Sequence, residues 1–171
     1  MADEVSVKQA ALGDLGEELE TTRRLLAAIP TAHLAWKPHD RSWPLGALAA
    51  HTVNLLHWQL LILEQDEFDL ASAPPPRSTG PESTDELLRQ FDERAAALHA
   101  AVAALDDEVL SRPWILRHGP RTILANSKAL VFRRMGTSHL IHHRAQLGLY
   151  LRLLDVPVPA SYGPTGDESG N

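Results

Sequence analysis

The spacing of hydrophobic residues along the chain predicts four long α-helices. Apolar side chains recur at three- and four-residue steps in four segments, which are residues 4–29, 45–64, 84–105 and 126–154. This spacing places the apolar side chains on one face of a helix, where they can pack against neighbouring helices. Four such helices in one chain of this length predict an all-α four-helix bundle.

Proline and glycine residues mark where these helices end or weaken. Pro30 ends the first helix, and Gly13 and Gly16 weaken its first half. Residues 31–44 contain further prolines and no helical periodicity, which indicates a loop. Ser42 is the expected N-cap of the second helix.

The connection between the second and third helices is long and polar. Residues 65–83 include the proline-rich run SAPPPRSTGPES, which is too polar for a core element. The length of this connection predicts a crossover between helices that are not simple up-and-down neighbours. Ser83 or Thr84 is expected to cap the third helix.

Two later segments lack helical periodicity. Residues 106–125 are expected to be irregular, with short extended pieces around residues 114–116 and 122–124. The chain after the fourth helix is expected to be extended and then disordered at its last few residues. We therefore expect a single domain over residues 1–160, followed by a tail over residues 161–171.

Histidines occupy apolar positions on two of the predicted helices. On the second helix the apolar stripe consists of Leu48, His51, Leu55, Trp58 and Ile62. On the fourth helix, His139 and His143 lie one turn apart in the middle of an apolar stripe. Since a solvated histidine has no reason to lie in such a stripe, all three side chains are expected to face the bundle interior.

These three histidines indicate a candidate metal site. Two imidazoles four residues apart can share one metal ion, and a third from a facing helix can reach the same point. The alternative is that the histidines are buried and bonded to the backbone or to each other. Three neutral imidazoles leave at least one coordination position open, which is typical of catalytic sites. Zinc, nickel, iron or copper would suit such ligands, so the sequence does not select the metal.

Other side chains near these histidines have two interpretations each. Asn54 lies three residues from His51, close enough to orient a ligand. His142 is expected at the surface or in a helix contact, and the alternative is a role beside the metal or as a general base. Trp36 and Trp43 either anchor one end of the bundle or form the wall of a pocket.

Composition and charge exclude several classes of protein. The chain has no cysteine, which removes disulfides and thiolate ligands and fits a reducing cytosol. Its net charge of −6 argues against a general nucleic-acid binder. The acidic N-terminus lacks the apolar segment of a secretory signal, and no apolar run approaches transmembrane length. We therefore expect a cytoplasmic protein without a membrane partner.

Charge is distributed unevenly along the chain. Residues 111–154 contain arginine and lysine but no acidic residue, whereas acidic residues dominate the first twenty positions. Complementary surfaces on the first and last helices, or on two chains of a dimer, would explain this distribution. The alternative is a positive rim around a pocket for an anionic ligand. Arg144 is expected to point away from the histidine pair and to bind an acid on another helix.

Several motifs together resemble one known family. They are WKP at residues 36–38, SWPLGALAAH at 42–51, HLIHHRAQL at 139–147 and VPVP at 156–159, followed by Tyr162, Gly163 and Pro164. In their order along nearly the whole chain they resemble the DinB/YfiT-like superfamily, named for a damage-inducible bacterial protein. The resemblance implies a four-helix bundle of that type, commonly a homodimer. It also implies that His51, His139 and His143 bind a divalent metal ion such as zinc, nickel or iron.

The function that this resemblance implies is less uniform than the fold. Some relatives are thiol transferases that use a low-molecular-weight bacterial thiol such as bacillithiol or mycothiol, and others are described as metal-dependent hydrolases or stress proteins. From this resemblance, the leading hypothesis is a metal-dependent thiol S-transferase with a small-molecule substrate. The absence of cysteine fits a mechanism in which the sulfur comes from a cosubstrate. The alternatives are a metal-dependent hydrolase and a non-enzymatic, metal-binding protein of the damage or stress response.

Overall fold

A computed structural model describes residues 5–73 and 80–168. Its helices are α1 (Val7–Leu12), α2 (Leu15–Ala27), α3 (Leu45–Glu64), α4 (Thr84–Ala103), α5 (Asp107–Ser111), α6 (Lys128–Val131) and α7 (Ser138–Leu153), and its strands are β1 (Glu67–Asp69), β2 (Pro113–His118) and β3 (Arg121–Ser127). A 3-10 turn covers Thr31–His33, and a π-helical turn over Phe132–Thr137 joins α6 to α7. The predicted disorder at the very end of the tail falls on residues outside this description.

The predicted four-helix bundle is confirmed, and its members are α2, α3, α4 and α7. Both α2 and α3 contact α4 and α7, so α2 and α3 lie diagonally opposite each other. The fully buried core side chains include Leu26, Leu56, Ile62, Leu87, Phe91, Leu98, Phe132, Leu140 and Leu147. Burying one such side chain stabilises the fold by about 1.5–3 kcal/mol. Among the described helices, none is long and apolar enough to cross a membrane.

The last helix and α2 run in the same direction. Arg133 contacts Asp14 at 2.6 Å, and Arg144, further along the chain, contacts Glu18 at 2.6 Å. These two ion pairs join the basic and acidic parts of the sequence within one molecule. Packing of the first helices against the last therefore accounts for part of the uneven charge distribution.

The helices α3 and α4 also run in the same direction. A Cβ atom on Gly80, just before α4, would lie 3.8 Å from the carbonyl carbon of Gly46 at the start of α3. Further along both helices, Arg94 donates a hydrogen bond to Asn54. The end of α3 and the start of α4 therefore lie at opposite ends of the bundle, as the predicted crossover requires. Ser83 caps α4, because its hydroxyl oxygen accepts a hydrogen bond from a backbone N–H of the first turn.

The prediction of one continuous first helix is wrong, because the helix is interrupted at Gly13. The backbone N–H of Gly13 closes α1 on the carbonyl of Gln9, and a Cβ at Gly13 would lie 2.5 Å from that oxygen. Asp14 then precedes α2, and its carboxylate is held by Arg133. A side chain on a later helix thus stabilises the break.

Ser42 does not cap α3, contrary to expectation. Pro44 precedes the helix, and no side chain caps it. The first two backbone N–H groups of α3 instead donate to the carbonyl oxygens of Trp36 and Leu34. A folded loop therefore provides the acceptors that a serine hydroxyl was expected to provide.

The region predicted to be irregular forms a short helix and most of a three-stranded sheet. The strand order is β1-β2-β3, with β1 parallel and β3 antiparallel to β2. The predicted extended pieces fall within β2 and β3, whereas α5 was not predicted. The buried Lys128 links the sheet to the bundle, since its ammonium donates to the Leu63 carbonyl at the end of α3 and pairs with Asp66.

The predicted last helix begins at Lys128 and is interrupted by the π-helical turn. Gly136 lies in this turn and faces the fully buried Gln59 of α3. A Cβ at Gly136 would lie 2.6 Å from the Cγ atom of Gln59, which is closer than packed carbon atoms can approach. The absence of a side chain at this position therefore allows α3 and the last helix to pack closely.

We expect Gly136→Ala to lower the free energy of unfolding by about 1–2 kcal/mol, because overpacking a buried site outweighs the helix preference of alanine. Gly148→Ala is the matched control, since its Cβ would lie 3.6 Å from Val158 in ordinary contact. The control should be neutral or slightly stabilising in urea denaturation. Equal stability of the two variants would contradict the argument.

Candidate metal centre

Three imidazoles from two helices meet in the bundle interior. His51 comes from α3, while His139 and His143 come from adjacent turns of α7. One ring nitrogen from each lies within 4.8 Å of the others, and the Nε2 atoms of His139 and His143 are 2.8 Å apart. His143 is 8% exposed and the other two side chains are partly buried. The expected convergence of the three side chains is thus observed.

Gln146 orients the imidazole of His143. Its side-chain oxygen lies 2.7 Å from Nδ1 of His143, and an amide oxygen can only accept in such a contact. The Nδ1 atom therefore carries the hydrogen, and the lone pair is left on Nε2, which faces His139. Metal-binding histidines commonly have such a partner on the other ring nitrogen. The i, i+3 spacing on α7 could have indicated this residue from the sequence.

The three imidazoles are held in the neutral form. Burial, followed by the nearby His143 and His139, lowers the pKa of His51 to about 4. Burial also lowers the pKa of His139 and of His143, although hydrogen bonds to the Met135 backbone and to Gln146, respectively, oppose the shift. Neutral imidazole is the form that binds a metal ion, so no proton has to leave these groups at neutral pH.

The donor set and its dimensions fit a divalent metal ion. A tetrahedral zinc ion with bonds of about 2.0–2.1 Å holds two ligand nitrogens about 3.3 Å apart. The histidine nitrogens lie between 2.8 Å and 4.8 Å from one another, so side-chain shifts of about an ångström would bring them to such distances. Among the described residues, no carboxylate belongs to this group. The three histidines could therefore hold a metal ion with a position open to another ligand.

Trp43 covers the histidines on one side. Its ring lies 5.1 Å from that of His51 and stacks at 6.0 Å on that of His143. Tyr150 supports this loop, because its hydroxyl donates to the carbonyl of Trp43 and its ring packs on Trp36 at 5.7 Å. Trp36 is thus a packing anchor, whereas Trp43 forms a wall of the site.

A cleft of about 350 Å³ opens beside His143, the one member of the histidine group that lines it. Its lining residues are Arg41, Ser42, Trp43, Leu48, His143, Gln146 and Tyr150. This volume is within the range of small-molecule sites. The cleft combines an apolar wall with an arginine, a hydroxyl and an amide. Trp43 was expected as a possible pocket wall, but the full lining was not predicted because it comes from a loop and two helices.

The remaining sequence candidates lie outside the centre of the site. His142 is exposed, as expected, and its ring lies 4.8 Å from that of His143. The carboxamide oxygen of Asn54 accepts a hydrogen bond from Arg94 of α4, so this oxygen is directed to another helix. Arg144 points to α2 and binds Glu18, as expected.

Comparison with known proteins agrees with the fold. A sequence model of the DinB superfamily matches residues 15–147, a span that includes all three histidines. No curated protein has a sequence that matches the chain.

Two solved structures have similar folds. A DinB-like protein from Bacillus cereus ATCC 10987 is 20% identical with a TM-score of 0.70, over 90% of this chain and 97% of that one. A DinB-like protein (YjoA) from Bacillus subtilis is 18% identical with a TM-score of 0.65, over 91% and 96% respectively. With the sequence match over most of its length and a bundle of the same architecture, the chain belongs to the DinB superfamily.

Proposed function

We propose that the protein is a metal-dependent thiol S-transferase in which His51, His139 and His143 hold one divalent metal ion. The observation that carries this proposal is the convergence of three neutral imidazoles, one of which, His143, lines a cleft. A divalent ion held there supplies Lewis-acid chemistry, which lowers the pKa of a thiol or water bound to it. Zinc, nickel and iron all suit imidazole ligands.

The side chains of the site bind and orient the reactants. Gln146 keeps Nε2 of His143 directed into the site, and Trp43 shields the imidazoles from water on one side. Because the chain has no cysteine, the sulfur comes from a low-molecular-weight thiol. The thiol proton passes to solvent through the cleft, a sulfur–carbon bond forms with an electrophilic substrate, and the bond to its leaving group breaks.

Two other functions would use the same residues. In a metal-dependent hydrolase, water replaces the thiol. A non-enzymatic stress-response protein would only bind the metal. Among the described residues no acidic side chain lines the cleft, which favours this function because the lining offers no carboxylate as a general base. A small-molecule ligand, a homodimer and a cytoplasmic location remain predictions, as does the absence of nucleic-acid and membrane partners.

The decisive experiment measures turnover of a halonitrobenzene and of an epoxide with candidate thiols, on metal-loaded and metal-stripped protein. Turnover that requires both thiol and metal supports the transferase. Turnover without thiol supports the hydrolase, and none under any condition supports the binding protein. His51→Ala is the control for the site, and purified protein that takes up no divalent metal would contradict all three.

A further inference from the structure

Arg41 brings a positive charge to the cleft. It is exposed, lies on the loop before Trp43, and lines the cleft with His143 and Gln146. Its backbone N–H donates to the ring of His39, and the neighbouring Asp40 pairs with Lys37. Nothing in this local arrangement neutralises the guanidinium group of Arg41.

Most other arginines of the chain have a carboxylate partner. Ion pairs are formed by Arg23, Arg24, Arg89, Arg112, Arg117, Arg133, Arg144 and Arg152. Within residues 5–73 and 80–168, Arg41 forms no ion pair, and no acidic side chain lines the cleft. The cleft therefore has an uncompensated positive charge, whereas arginines elsewhere on the bundle are mostly balanced.

The other residues that line the cleft indicate which chemical groups an anionic ligand would carry besides its negative charge. Trp43, Leu48 and Tyr150 provide aromatic and aliphatic surface, and Trp43 is 50% exposed. The hydroxyl of Ser42 can donate a hydrogen bond next to Arg41. Guanidinium groups bind carboxylate and phosphate through paired hydrogen bonds, and flat apolar groups pack on indole rings.

We propose that this cleft binds a small organic anion with an apolar or aromatic body. Arg41 pairs with the carboxylate or phosphate of this molecule, and Trp43 contacts its apolar body. The inference rests on the proposed function in that the anion would be a reactant, either the thiol or its electrophilic partner, held beside the three histidines. Arg41 would then determine which reactants are accepted.

The test uses matched probes that differ in charge. Binding of 2-naphthoate, of phenyl phosphate and of the uncharged 2-naphthamide is measured by titration calorimetry on the full chain, as purified and again after treatment with a chelator. The titration after chelator treatment is needed because a metal ion could itself bind the carboxylate of a probe. The variants are Arg41→Gln, Arg41→Lys and, as a control of equal charge change, Arg121→Gln on β3, outside the cleft.

We expect Arg41→Gln to weaken binding of the two anions about tenfold or more, as expected for the loss of a charged hydrogen bond. Arg41→Lys should retain part of the affinity, while Arg121→Gln and the uncharged probe should show little change. The proposal is overturned if neither anion binds the wild-type protein at millimolar concentration, if both glutamine variants behave alike, or if naphthamide binds as tightly as naphthoate.

The two proposals fail in distinguishable ways. Anion binding that depends on Arg41, in a protein that turns over no electrophile, would contradict the transferase and leave this inference intact. A metal- and thiol-dependent transferase whose anion affinity does not depend on Arg41 would contradict this inference alone. The metal content of Arg41→Gln should equal that of the wild type, because the three histidines that could bind the metal remain in this variant.

Discussion

Glu18→Leu is expected to lower the free energy of unfolding by about 3–5 kcal/mol, because it leaves a buried charge without its partner. Arg144 is 2% exposed and Glu18 is 5% exposed, and their charged groups are 2.6 Å apart between α7 and α2. The hydroxyl of Tyr162 also donates to Glu18, and its ring lies 5.1 Å from the guanidinium carbon of Arg144. Loss of Glu18 therefore also removes one of the hydrogen bonds that join the tail to the bundle.

The converse variant, Arg144→Met, should be less destabilising. A buried carboxyl group that lacks a charged partner is in general neutralised by a proton, whereas a guanidinium group remains charged at any accessible pH. The double variant Glu18→Leu with Arg144→Met should recover most of the lost stability, because apolar pairs often replace buried ion pairs without loss.

Urea denaturation of the two single variants and the double variant would measure this coupling. Asp92→Asn is the matched control, since Asp92 pairs with Arg23 between α2 and α4 but both side chains are about half exposed. The control should change stability by less than about 1 kcal/mol. Additive effects of the two core substitutions would contradict the interpretation of Glu18 and Arg144 as one coupled pair.

His143→Ala is expected to weaken binding of zinc by more than about 100-fold, since loss of a mere hydrogen-bond partner of a metal ligand costs about 10–100-fold. His143 is central to the site because its ring lies 4.6 Å from those of both His51 and His139. Zinc should raise the melting temperature of the wild-type protein and should leave that of the variant unchanged.

A graded series of variants makes this result specific. Gln146→Leu keeps all three imidazoles and removes the acceptor from Nδ1 of His143, so we expect a loss of about 10–100-fold. His142→Ala removes an exposed neighbouring imidazole and should have little effect. Zinc affinities from competition with a chromophoric chelator would rank the variants. A loss in His142→Ala equal to that in His143→Ala would show that the ligand set is wrong.

The long helices were predictable because their signal is local. Apolar residues at helical spacing mark α3 and α4 almost to their ends, and Ser83 has the sequence context of a cap. The π-helical turn carries no comparable signal, and Gly13 indicated a weak first half of the helix but not a break. The break is held by Arg133 and the π-helical turn packs on Gln59, and both partners are remote in the chain.

The candidate site was predictable to a similar extent. His51, His139 and His143 could be selected because each occupies a position that the apolar pattern assigns to the interior. Arg41 could not be recognised as part of the site, and the i, i+3 spacing of Gln146 from His143 is only a weak indication, because polar residues at exposed or partly exposed positions are common on any helix or loop. Their roles follow from the cleft that they line.

Periodicity and connection length are properties of short segments, so they were enough to predict the four long helices, the crossover and the three inward-facing histidines. The folded chain was needed to show that the histidine nitrogens lie within 4.8 Å of one another, that Glu18 neutralises Arg144 and that Arg41 meets Trp43 in one cleft. The histidine and ion-pair contacts join different helices, and the cleft joins a loop to two helices. Their distances therefore depend on how the whole core packs.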